Sequence, residues 1–122
     1  MPYSIKPSDD GRYIVVTTQG NLTNEIALRQ NIESHALGKK LSISRYLVDV
    51  TQARNIDSVP TNYKFAYEDM VAAPEIDKNA RIALVADPQD HSHDFIETAF
   101  RNAGFHIRLF RNRDEAIRHL LL

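Results

Sequence analysis

Arg81-Ile82-Ala83-Leu84-Val85-Ala86-Asp87-Pro88 is the stretch on which the fold turns. Ile82 to Ala86 is apolar without interruption, and an acid and a proline then stop it. A strand that is apolar on both faces must be covered on both, which places it inside a mostly parallel sheet. Helical patterns flank it on either side, so the local order is α-β-α. Ligands of such sheets collect at the C-terminal tips of the strands. Here that tip reads Asp87-Pro88-Gln89-Asp90-His91-Ser92-His93-Asp94.

Working outward, Tyr3 to Lys6 reads as a short strand, and Pro7-Ser8-Asp9-Asp10-Gly11 as a hairpin turn. Arg12 to Thr18 is rich in β-branched residues and makes the antiparallel partner. Gln19-Gly20-Asn21 breaks that strand. Thr23 then caps a helix over 23–37, with the stripe Leu28, Ile32 and Ala36 and with Gly38 as its stop. Arg45 to Val50 is the next strand, and Gln52 to Pro60 a connection. A helix over 60–73 carries Tyr63, Ala66, Tyr67, Met70 and Val71 at spacings of three and four, a pattern of core contact. Ser92 or Asp90 caps a helix over 92–103, which Gly104 ends. Phe105 to Phe110 alternates like an edge strand, and Asn112 with Glu115 resembles a capping box for a last helix over 113–121. The expectation is α/β: a five-stranded mixed sheet with four parallel strands, one antiparallel strand at the N-terminal edge, and four helices.

The 122 residues fit one domain, 1–122. There is no cysteine, which excludes disulfides and thiolate chemistry and suits a reducing cytoplasm. Met1 to Lys6 lacks the apolar core of a signal peptide, and no run is long enough to span a membrane. The net charge of −1 gives no general attraction to nucleic acid. From residue 101 onward Arg101, Arg108, Arg111, Arg113 and Arg118 face only Asp114 and Glu115. That run reads as an anion-binding patch or, more commonly, as a solvated edge.

Two groups of polar residues carry candidate chemistry. Asp90, His91 and His93 offer metal or anion ligands, but residues two apart on a helix diverge, and Asp90 or Ser92 can equally serve as caps. Asp49 and Asp87 end neighbouring strands, where they could share a cation or accept hydrogen bonds from the adjoining loops. A phosphoreceiver domain is excluded: the early strand ends Thr17-Thr18-Gln19, and no lysine comes after Lys78. Glycines are isolated, so no phosphate loop is present, and there is no Gly-x-Ser-x-Gly elbow.

Three segments resemble the STAS superfamily, the anti-sigma-factor-antagonist fold, in its SpoIIAA-like branch. Gly20-Asn21-Leu22-Thr23 is similar to the turn into that family's first helix. Leu47-Val48-Asp49-Val50 is succeeded, eight residues after Asp49, by Asp57-Ser58, similar to its Asp-Ser loop. The last strand leads into Asp114-Glu115-Ala116-Ile117, as in the family's final helix. The resemblance implies sequential strand order, helices mainly on one face, and kinship with the Sec14-type lipid-binding fold. It departs at Val59 and Pro60, which replace the acceptor hydroxyl and the glycine of the phosphorylated loop, so Ser58 is not expected to be an efficient acceptor.

The function this implies is a bacterial, cytoplasmic, non-enzymatic regulatory or protein-interaction module without a phospho-switch, cofactor or metal. Asp57, Ser58, Tyr63 and Tyr67 would form its contact surface for a protein partner. The alternative is a binder of a small apolar molecule, such as a lipid by kinship of fold, at a sheet face carrying Tyr13, Val15 and Thr17. An enzyme built on Asp49, Asp87, His91 and His93 ranks last, for want of a nucleophile–base pair. The amphipathic side of the last strand, with His106, Arg108 and Phe110, predicts a homodimer.

Overall fold

Arg81–Val85 is the fourth strand, β4, and its two faces go to two different cores. Ile82 and Leu84 enter the larger apolar cluster, while Ala83 and Val85 join Leu47, Ala116 and Leu120 on the other side. The double coverage inferred from its apolar run is therefore real. The computed structural model describes residues 2–122, apart from the side chains of Val59 and Tyr63.

The remaining strands are β1 (Tyr3–Pro7), β2 (Ile14–Leu22), β3 (Arg45–Asn55) and β5 (His106–Phe110). Their order in the sheet is sequential, with β1 antiparallel to β2 and every other pairing parallel. The helices are α1 (Asn24–Leu41), α2 (Val59–Lys64), α3 (Asp94–Asn102) and α4 (Arg113–Leu120). Side chains of α1, of α3 and of Phe65, Ala66 and Met70 just after α2 fill the larger core, and α4 covers the opposite face. The architecture agrees with the sequence reading; several boundaries do not.

β2 does not stop at Gln19. It runs on to Leu22 beside a β3 that reaches Asn55, where a loop had been expected. The pairing slips between Thr17↔Asp49 and Gln19↔Gln52, so β3 holds one extra residue there. Such a bulge frees a backbone N–H and changes which side chains face inward. Asp49 Oδ1 accepts from the Thr51 amide (2.9 Å) and hydroxyl (2.7 Å) beside the bulge. Before the bulge Tyr46 and Val50 are buried; after it the parity changes and Ala53 and Asn55 are.

α1 begins where its cap predicts: Thr23 Oγ1 accepts from the Ile26 amide. It does not end at Gly38 but continues to a left-handed Ser42 (φ 58°). Gly38 lies inside the helix because of Tyr46, whose hydroxyl occupies the place a Cβ would take. Gly→Ala inside a helix ordinarily stabilises by about 1 kcal/mol. Here overpacking opposes it, and we predict that Gly38→Ala lowers stability by roughly 1–2 kcal/mol net, read from the urea midpoint; an unchanged or higher midpoint contradicts this packing.

The expected stripe of α1 is also displaced. Leu28 and Ile32 are half-buried and Ala36 is exposed, whereas Gln30, Ser34, His35 and Gly38 are buried. The helix turns a polar, small-residue face to the sheet.

α2 is capped by Ser58, which accepts from the Thr61 amide at 3.3 Å, with Pro60 in the first turn. It then passes into a π-helical segment, Phe65–Met70. A π turn adds a residue to the repeat and rotates the later side chains of the helix. Phe65 and Met70, five apart, both point inward with Ala66, and Tyr67 and Val71 come out to solvent. The three-and-four pattern of the sequence had placed those two in the core.

α3 starts at Asp94 with neither Asp90 nor Ser92 as its cap. Its end is a Schellman arrangement, with Gly104 at φ 99°, its N–H bonded to the Arg101 carbonyl, and that of Phe105 to the Phe100 carbonyl. α4 is capped as expected by Asn112 Oδ1, which accepts from the Glu115 amide at 3.1 Å.

Candidate functional site

The buried polar face of α1 and the change of phase in α2 serve one feature, an apolar cleft between the helices and the sheet. Its internal volume is about 60 Å³. Ala27, Gln30 and Ser34 of α1 form one wall, Phe65 and Met70 of the π segment another, and Ile96 and Phe100 of α3 a third; Val48, Val50, Ile82 and Leu84 make the floor. A single water needs roughly 10–15 Å³ and a benzene-sized guest roughly 150 Å³. The cleft therefore holds a few heavy atoms as it stands, and more if a wall moves.

Polar groups are placed at defined points around it. Thr18 Oγ1 bonds Gln30 Oε1 at 2.9 Å. Asn55 Oδ1 accepts from the Asp57 amide at 3.1 Å, which fixes the orientation of the carboxamide. Asn55 is among the residues that line the cleft, and its Nδ2 is buried without a hydrogen-bond partner. An unmatched buried donor costs about 1–3 kcal/mol, so this group is a natural anchor for an acceptor. His35 accepts from the Asp77 amide through Nδ1 (3.0 Å) and stacks on Tyr46, ring centroids 4.3 Å apart. Burial pushes His35 down to about 4, against the opposing pull of Asp77. Burial likewise raises the Tyr46 phenol to about 12.

The residues singled out in the sequence fall around this cleft in different roles. His93 is 1 % exposed and lines the cleft. Its Nε2 lies 3.0 Å from the Ala53 carbonyl, to which it donates, and 3.4 Å from Asp90 Oδ2. The Asn55 amide donates to Ser92 Oγ (3.0 Å) and the Ser92 amide to Asp90 Oδ1 (2.9 Å). Burial alone would raise the Asp90 carboxyl, but the bonds from Ser92 outweigh it and hold it below the usual range. The loop before α3 thus closes over the far end of β3, which is why Asp90 and Ser92 do not cap the helix.

His91 points elsewhere. It is exposed, 2.9 Å from Asp94 Oδ2, while Arg111 ties the same loop through the Asp87 carbonyl (2.9 Å) and Asp94 Oδ1 (2.6 Å). Asp87 accepts from the Gln89 amide, and Asp49 accepts from Arg113 at 2.7 Å in addition to its role at the bulge. The two histidines therefore diverge, and among the described residues no three His, Cys, Asp or Glu side chains converge as metal ligands.

Asp57 Oδ2 accepts from the Asn24 amide at 2.6 Å, and Asn24 Nδ2 donates to the Thr61 carbonyl at 3.0 Å. The starts of α1 and α2 are thereby joined. Ser58 and Tyr67 are exposed nearby; the Tyr63 side chain lies outside the described residues. Tyr13, Val15 and Thr17 face the α4 side, where Tyr13 packs against the smaller core. The cleft is on the other face of the sheet. Gln30, His35 and Asn55 escaped the sequence reading, although polar residues interleaved with the stripe of α1 were the visible sign.

No family model matches the sequence, and no curated protein matches it. Among solved structures, the chain is similar to an uncharacterised protein of the DUF3478 family with a SpoIIAA-like fold from Shewanella loihica PV-4. The two share 21 % identity over 97 % of this chain and 91 % of that one, with a TM-score of 0.52. A STAS-domain antisigma-factor antagonist from Rhodobacter sphaeroides is a fainter likeness, at 15 % identity, 97 % and 88 % coverage and a TM-score of 0.32. The protein thus belongs, by architecture, among α/β proteins of SpoIIAA-like fold. Among the described residues no helix is long and apolar enough to cross a membrane.

Proposed function

We propose that this protein is a non-enzymatic regulatory module that binds a small, largely apolar molecule between α1, the π segment and the sheet. The observation that carries the reading is the cleft itself, apolar in most of its lining but bordered by Asn55, whose Nδ2 is a buried donor without a partner. The occupant would carry an apolar body and a hydrogen-bond acceptor, such as a carbonyl or carboxyl group. The π segment is the movable wall, because its bonding pattern is less regular than that of an α-helix. The candidate acids and histidines support a non-enzymatic role, since each is engaged in holding a loop or a bulge.

Native mass spectrometry of the purified protein is expected to show a co-purifying small molecule. Independently, the neutral probe N-phenyl-1-naphthylamine should bind saturably, one per chain, and Ala27→Phe should abolish this by filling the cleft. Probe binding that is absent, or equal in the two proteins, overturns the reading.

A protein-docking reading rests on a different observation: Ile56, next to Asp57, and Tyr67 and Val71, further along the helix that Ser58 caps, expose 52 %, 46 % and 36 % of their surfaces. The two readings share the π segment, whose Phe65 and Met70 line the cleft and whose exposed Tyr67 a partner would touch.

A further inference from the structure

At the opposite end of the parallel strands a second cleft gathers positive charge. Its volume is about 540 Å³, within the range of small-molecule sites. Arg81, Arg101, His106, Arg108 and His119 all line it, and none of the nine residues around it is Asp or Glu. Register explains the convergence. Arg81 pairs with His106 across β4 and β5, and Arg108 lies two residues further along the same face of β5.

The cationic groups are held in place without being neutralised by side-chain carboxylates. Arg81 donates through Nη1 to the main-chain oxygens of His119 (3.3 Å) and Leu122 (2.8 Å), so its guanidinium is engaged just past α4 and Arg101 and Arg108 are the cations left for an anion. The Arg108 guanidinium lies 5.7 Å from the centre of the Phe110 ring. Among the described residues, arginine pairs with side-chain carboxylates are made by Arg12, Arg29, Arg111 and Arg113, not by Arg101 or Arg108. In a chain whose net charge is only −1, this is a local concentration of positive charge.

We propose that this cleft binds the phosphate group of a small organic phosphomonoester. Guanidinium groups match phosphate oxygens in geometry and charge, and a phosphomonoester is close to a dianion at neutral pH. Leu122, 81 % exposed at the cleft, supplies apolar contact for the organic part. The imidazole of His119 is a built-in reporter. Burial, then Arg108 and Arg81, depress its pKa, and a bound dianion offsets the two arginines.

Phenyl phosphate is the probe, titrated into the full chain in sulfate-free buffer at 0.15 M chloride and tracked by NMR of the histidine rings. Saturable binding is expected, with an upward shift in the His119 pKa. The double variant R101A/R108A, at two exposed positions, should weaken binding about tenfold. Arg118→Ala, on α4 but outside the cleft, should change it less than about twofold. The proposal is overturned by an unmoved His119 pKa, by equal weakening in the Arg118 variant, or by binding to phosphatidic acid vesicles without binding of the soluble ester. Because this cleft shares no lining residue with the apolar one except Ile107 at the strand between them, failure of either proposal leaves the other standing.

Discussion

Phe65→Ala is expected to remove about 3–5 kcal/mol of stability and yet to tighten binding of an apolar probe. Phe65 is 2 % exposed, its ring lies 5.6 Å from that of Phe100, and Phe100 lies 5.3 Å from Phe105. Deleting the ring breaks this chain of aromatic contacts, and incomplete collapse adds volume to the cleft it lines. Leu47→Ala is the matched comparison. Leu47 is equally buried but belongs to the smaller core under α4. Its truncation should cost about 2–5 kcal/mol with no gain in probe affinity. Urea unfolding measures both losses, and fluorescence titration the affinities. If the two variants bind the probe alike, Phe65 is not a wall of the ligand site.

Acid should weaken the fold through His35 before most carboxylates titrate. The folded pKa of about 4 lies below the ordinary 6.5, so the unfolded chain takes up a proton that the folded chain refuses. The neutral imidazole contributes its full stability above pH 6.5, and that contribution is lost as pH falls toward 4. Linkage puts the loss between about pH 7 and pH 5 at about 2 kcal/mol. His35→Gln retains an acceptor for the Asp77 amide without a titrating ring. The variant should be less stable near neutral pH, for loss of stacking on Tyr46, but flatter across the same acid range. Parallel stability curves for the two proteins would remove His35 as the source.

The sequence told most where one physical demand had one solution. The apolar run of β4 required cover on both faces and has it. Thr23 and Asn112 cap the helices they precede, because an oxygen at that place has few better uses. The departures have causes beyond local pattern. Gly38 looked like a stop but answers to the Tyr46 hydroxyl, a contact invisible to local pattern. Gln30 and His35 broke the expected stripe of α1 because that face meets a partly polar cleft. Asp49 could be read as a site acid or as an acceptor for the adjoining chain, and beside the extra residue in β3 it accepts from Thr51. Local rules tend to fail where a fold makes room for something else.

The π segment has a consequence for descent. A π turn is one residue's worth of additional chain wound into an otherwise ordinary helix. Substitutions at Phe65 or Met70 alter the shape of the cleft by degrees. Deleting one residue from Phe65–Met70 would instead restore the α repeat and rotate every later side chain of the helix at once. In a lineage carrying this fold, the cleft would then be gained or lost by insertion and deletion, with the intermediate sizes never sampled. Alignment gaps within this helix, more than its conserved letters, would mark which descendants kept the cavity.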